Sequence, residues 1–170
     1  LGMPSAQLRI EVAPAGELRA DGADLIRFLF TANRNTSLQP IEKVASGGEM
    51  SRLMLSLKAL VAAHAQLPTI IFDEIDTGVS GAIADKMGEI ITNLSGSLQV
   101  VNITHLPQVA SKGDHHFLVY KEETPEGTLS RIRKLSSEAR VAEIAKMLSG
   151  SAVTAAATEQ ARLLLGMEKL

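Results

Sequence analysis

A chain of 170 residues with 45% apolar and 21% charged side chains suits one globular domain, or one lobe of a larger one, and excludes intrinsic disorder. With no cysteine, a disulfide framework and thiolate metal sites are excluded, and no run approaches the ~18 apolar residues of a membrane helix. Seventeen basic against nineteen acidic residues leave a net charge of −2, so bulk charge does not make this a nucleic-acid binder; 3% aromatics without tryptophan argue against a base-stacking platform. The first residues lack the basic-then-apolar build of a signal peptide, and a reducing, cytoplasmic location is expected.

Gln7 to Ala13 alternates Leu8, Ile10 and Val12 with polar residues, which predicts a half-buried strand. After a turn-like stretch around Asp21-Gly22, Ile26, Phe28 and Phe30 alternate again, and the two runs are expected to pair through a connection longer than the tightest hairpin turns. Residues 33–45 read as a loop ending at Ser46-Gly47-Gly48. An amphipathic helix starts there, with Met50, Leu53, Met54, Leu57, Leu60 and Val61 as its core face. Thr69-Ile70-Ile71-Phe72 lacks alternation, which predicts a central strand covered on both faces and closing on Asp73-Glu74. A helix capped by Ser80 and a second apolar strand, Leu98 to Ile103, follow, giving a strand–helix–strand unit with parallel pairing. His115 to Lys121 and Thr128 to Leu135 predict a hairpin. Helices near Ser137–Leu148 and Thr154–Leu165, each stopped by glycine, close the chain.

Three places could carry chemistry. Asp73-Glu74, at the carboxyl end of a parallel strand, could hold a metal ion and activate a water molecule. Ser46-Gly47-Gly48-Glu49 opens a helix whose unpaired N–H groups and dipole suit a phosphate, the glycines allowing close backbone approach. His105 could hydrogen-bond a phosphate oxygen or an attacking water. Taken singly, each has a plainer explanation: a strand end meeting solvent, an ordinary N-cap, a polar terminus. His115-His116 lacks ligand spacing and reads as structural, and His64 as solvated. Arg131, Arg133 and Lys134 are the local basic candidates for a DNA contact.

In order and spacing, ASGGEMSR, TIIFDEID and ITHLPQVAS resemble the signature, Walker B and switch-histidine motifs of the ABC-type ATPases, within the chromosome-structure and DNA-repair branch. The resemblance runs from about residue 1 to 166. It implies an α/β fold, the C-terminal lobe of an ATPase head, with a mainly parallel core sheet, antiparallel margins and helices on both faces, residues 1–170 forming a single domain. It further implies that Asp73 binds Mg²⁺, that Glu74 polarises the attacking water and that His105 touches the γ-phosphate. Ser46, Gly47, Gly48 and Glu49 are implied to close over ATP held by an opposite subunit.

Two departures stand out. Ala45 replaces a common leucine, and the stretch TGVSG has Ser80 near the place of the family's D-loop aspartate, so no aspartate role is assigned there. None of the 13 glycines precedes a lysine, so the G-x-x-x-x-G-K-[ST] loop is absent and the chain alone is expected to hydrolyse no ATP. The implied partners are an N-terminal P-loop lobe of the same protein, a second head in a homodimer, and DNA through the full-length assembly. The implied work is double-strand break repair, in the cytoplasm at the nucleoid and without a membrane. A chromosome-organising head of the same superfamily, a dimerisation module without turnover and a plain phosphate-binding domain are the rival readings.

Overall fold

The computed structural model describes residues 2–43, 46–150 and 152–167. In chain order these form β1 (Gln7–Arg19), β2 (Gly22–Thr31), β3 (Gln39–Pro40), α1 (Gly47–Ala65), β4 (Thr69–Asp73), α2 (Gly81–Ser95) and β5 (Gln99–Ile103). The short α3 (Pro107–Ala110), β6 (Phe117–Thr124), β7 (Gly127–Lys134), α4 (Ser137–Ser149) and α5 (Ala155–Leu164) complete the chain. Strands pair as an antiparallel β1-β2-β3 sheet, a parallel β4-β5 pair and an antiparallel β6-β7 hairpin. The architecture is mixed α/β, with one parallel unit between antiparallel ones.

The first hairpin is tighter than its sequence suggests. β1 continues past Pro14 through a register irregularity and pairs Arg19 with Gly22, leaving Ala20-Asp21 as a two-residue turn. Gly22 takes φ +122°, and Arg19 Nε donates to Asp21 Oδ1 at 3.0 Å, holding the turn from its flank.

α1 begins where Ser46 Oγ accepts a hydrogen bond from the Glu49 N–H at 3.4 Å, and ends at Gln66 in the left-handed conformation. Its buried residues are Gly48, Leu53, Leu55 and Ala62, whereas Leu60 and Val61 are exposed. The core stripe is therefore rotated from the predicted one, because α1 is held against the turn after β4 by Gly48.

The main core gathers Leu55 of α1, Phe72 of β4, Ile75 and Val79 of the following turn, Ala84 and Met87 of α2, and Val109 of α3. Burying side chains the size of Leu55, Phe72 and Met87 stabilises by roughly 1.5–3 kcal/mol each. A second cluster joins Ile144 and Ala145 of α4 to Ala157 and Ala161 of α5. Val109 belongs to the first cluster and its neighbour Ala110 packs against the second, so α3 touches both.

Among the described residues the parallel pair is covered on one face only. Phe72 is fully buried, while Ile71, Val101 and Ile103 on the opposite face are exposed. The unbroken apolar run of β4 predicts cover on both faces; the described residues supply it on one.

Candidate nucleotide site at the end of the parallel pair

Asp73 is the last residue of β4 and pairs in register with Ile103, the last of β5. The pair therefore ends level, and Glu74 and His105 both lie just beyond it. Glu74 adopts φ +46°, a left-handed conformation disfavoured for a residue with a side chain, and the strain is held from several directions. Its N–H donates to the Ile103 carbonyl at 3.1 Å. Its own carbonyl accepts from the Thr77 N–H at 3.2 Å and from Thr77 Oγ1 at 2.9 Å. Asp73 and Glu74 themselves face solvent.

The turn after Glu74 carries the start of α1. A Cβ built on Gly48 would lie 2.5 Å from the Gly78 carbonyl oxygen, and Gly78 itself takes φ +75°. Ser51 Oγ donates to the Thr77 carbonyl at 3.0 Å. Gly48 thus serves close packing of helix on turn, and Gly47, with nothing within 4 Å of its position, is the glycine left open to a ligand. Ser46 is a helix N-cap, and that does not exhaust its hydroxyl: one lone pair accepts from Glu49, and the O–H remains able to donate. Val44 and Ala45, the latter being the departure at the head of the motif, lie outside the described residues.

Asp76 is the residue that motif reading passes over. It is 1% exposed, in the turn that contributes Ile75 and Val79 to the main core. Its Oδ2 accepts from the Thr104 hydroxyl, and Thr104 Oγ1 accepts from the Leu106 N–H at 3.0 Å. Its Oδ1 lies 3.9 Å from His105 Nδ1 and has no hydrogen-bond partner among the described residues. The available signal was an acid set between apolar Ile75 and glycine-bearing turn residues, facing a strand end rich in hydrogen-bonding side chains.

Ser80 sits at the N-cap of α2 with no side-chain capping bond. His115 is exposed and His116 half-buried ahead of β6, the alternation their adjacency predicts. Burial, with the Arg140 guanidinium second, holds the His116 imidazole below its ordinary pKa, against an opposing pull from Glu143. His64 Nδ1 lies 2.8 Å from the Leu60 carbonyl in the last turn of α1. Arg131 is engaged by Glu122 at 2.7 Å, and Arg133 stacks over Tyr120 at 5.5 Å.

For Mg²⁺, no group of three or more acidic or histidine side chains converges among the described residues. A single carboxylate at Asp73 still fits that ion, which commonly takes one or two carboxylates and fills its shell with water and phosphate oxygens. Two open clefts lie elsewhere, one where Leu8 and Phe30 meet Leu53 of α1, the other between α4 and α5. No helix among the described residues is long and apolar enough to cross a membrane.

No family model matches the chain. It is 41% identical over 166 residues to the DNA repair protein RecN of Vibrio cholerae, covering 97% of this chain and 30% of that protein. It is 43% identical over 149 residues to the Bacillus subtilis protein of the same name, covering 88% of this chain and 26% of the relative. Its fold is similar to the Smc head domain of Pyrococcus yayanosii, with a TM-score of 0.64 at 20% identity, over 84% of this chain and 26% of that one. An SMC ATPase solved in work on ATP-driven dimerization and DNA-stimulated activation superposes with a TM-score of 0.61 at 17% identity, over 88% of this chain and 85% of that one.

Proposed function

We infer that this chain, a relative of the RecN DNA repair proteins along 97% of its own length and spanning about 30% of theirs, is one lobe of an ATP-binding and ATP-hydrolysing head. The remaining lobe, with the phosphate-gripping P-loop, is assigned to other segments of the full-length protein. Two such heads close around ATP, and the cycle of closing and opening drives DNA double-strand break repair. DNA is engaged through the full-length assembly, in the cytoplasm at the nucleoid.

The observation that carries this reading is the convergence at one end of the parallel pair. Asp73 and Glu74 leave β4 beside His105 leaving β5, and the start of α1 is locked onto the same turn by Gly48 against Gly78. In α/β sheets ligands bind beyond the carboxyl ends of the strands, which is where these groups lie. ATP with Mg²⁺ would supply the transferable phosphoryl group and its charge neutralisation. Asp73 orients the cation's water shell. Glu74, kept solvent-facing by its left-handed backbone, polarises the attacking water, and His105 donates to the terminal phosphate. Ser46 and Gly47 present hydroxyl and N–H donors outward, to nucleotide held by the opposite head, while Gly48 seats the helix start on the turn and the Glu49 N–H holds the Ser46 hydroxyl in place. Donors arriving across an interface act only when the two heads are closed, which ties hydrolysis to dimerisation.

The test is ATP turnover by the full-length parent protein, wild type against Glu74→Gln, with and without linear DNA. Turnover that collapses in the variant while nucleotide binding persists supports the reading. Equal turnover in both proteins removes Glu74 from the chemistry. No turnover in either leaves a module that binds nucleotide only to dimerise.

A further inference from the structure

The buried carboxylate of Asp76 has a use that the roles of Asp73, Glu74 and His105 do not cover. A carboxylate withdrawn from water is costly unless each oxygen finds a donor, and among the described residues only Oδ2 has one, the Thr104 hydroxyl. Oδ1 stays unpaired, yet the nearest basic side chain is His105, whose Nδ1 lies 3.9 Å away. That distance is too long for a hydrogen bond, and the imbalance between the partners is informative. Asp76 is fixed: it is 1% exposed, its own carbonyl accepts from the Val79 N–H at 3.1 Å, and Thr104 pins its carboxylate from β5's end. The His105 side chain is 59% exposed and can turn. A rotation closing about 1 Å brings Nδ1–H onto Oδ1 at hydrogen-bond distance.

We propose that Asp76 is a positioning residue for His105. Its free Oδ1 accepts the Nδ1–H bond, fixes the plane of the ring, and leaves Nε2 aimed beyond the strand ends where Asp73 and Glu74 lie. A ring nitrogen committed to a carboxylate also determines what the other can do, since the two nitrogens of imidazole take distinct roles. Thr104 has a matching part. Its hydroxyl donates to Asp76 and accepts from Leu106 N–H, so the segment carrying His105 and the turn carrying Glu74 are tied through one carboxylate.

The inference rests on the reading of His105 as a phosphate-contacting residue, and the experiment separates the two. In the full-length parent protein, kcat and KM for ATP are measured for Asp76→Asn, His105→Ala, the double variant, and Glu74→Gln. Asp76→Asn keeps the shape and an acceptor for Thr104 but weakens the grip on the ring. We expect kcat to fall roughly 10–100-fold with KM nearly unchanged, the scale on which losing a partner that orients a functional histidine acts. In the His105→Ala background the same change should have no further effect, because residues acting through one group are not additive. An Asp76→Asn loss as large without His105 as with it overturns the proposal, as does full activity of Asp76→Asn. Loss on Glu74→Gln but none on His105→Ala overturns it too, by removing the residue it acts through. Undiminished turnover on Glu74→Gln defeats instead the parent reading of the site. Asp76→Leu, which abolishes both hydrogen bonds, provides the severe end of the series, and thermal midpoints for each variant identify any that fail to fold.

Discussion

Gly48 and Gly78 meet backbone against backbone: a Cβ on the first would come within 2.5 Å of the carbonyl oxygen of the second. The contact joins the first turn of α1 to the turn that follows Asp73-Glu74. A methyl group there has only main chain to push against, so the helix must move rather than a side chain. Gly48→Ala is expected to cost about 1–3 kcal/mol, the usual range for overpacking. Gly47→Ala, at a position with nothing within 4 Å, should leave stability nearly unchanged. Chemical denaturation of the two variants against wild type checks the contrast, and equal losses would contradict the contact.

The isolated 170-residue chain is expected to show no ATP turnover above background, since no glycine precedes a lysine to form the phosphate-binding loop. A steady-state phosphate-release assay on the purified chain measures this directly. Turnover that disappears in Glu74→Gln would show that the 170-residue chain grips ATP unaided.

What could be read from the amino-acid pattern, and what could not, divides along physical lines. The order of strands and helices was legible because apolar period and Gly, Ser and Pro punctuation are local properties. Ser46 accepts from the Glu49 N–H, the capping its place before the helix predicts, and Ser136 and Thr154 cap their helices in the same way, whereas Ser80, expected to cap α2, makes no side-chain capping bond. The facing of α1 was legible only in part: Leu53 is buried and Met50, Met54 and Leu57 are half-buried as expected, but Leu55 is buried where the pattern does not predict it and Leu60 and Val61 are exposed. The turn around Asp21-Gly22 was legible, but the continuation of β1 past Pro14 to Arg19, through a register irregularity, was not. Asp76 stood in plain view inside FDEID. Its carboxylate meets Thr104 and His105, just beyond the end of β5, and no local pattern records such a partner.

The bare face of the parallel pair should make the isolated chain self-associate. Ile71, Val101 and Ile103 are apolar and exposed side by side, and among the described residues each of β4 and β5 pairs with one strand only. Unpaired edges and contiguous apolar surface are both association-prone. Sedimentation velocity over a concentration series is expected to show oligomers, reduced by Ile71→Lys with Val101→Glu. Stability should change by no more than roughly 0.5 kcal/mol per site, as at ordinary surface positions. A wild-type chain that stays monomeric at every concentration would count against an incomplete sheet.

His116 makes stability depend on pH, with a sign that follows from its surroundings. Burial and the nearby Arg140 guanidinium hold its pKa below the ordinary imidazole value, against a weaker opposing pull from Glu143. The unfolded chain therefore takes up a proton at higher pH than the folded chain does. Above pH ~7 both states are neutral here and the group contributes nothing. As pH falls through ~6.5 the unfolded state binds more protons, so stability declines until the folded-state value is passed, then stays constant. Denaturation midpoints at pH 7.5 and 5.5 should differ more for wild type than for His116→Gln. Glu143→Gln removes the one charge that favours the imidazolium, so this variant should lose still more stability than wild type over the same interval. If all three proteins respond alike, the half-buried imidazole beside Arg140 is not what sets the acid sensitivity of the fold.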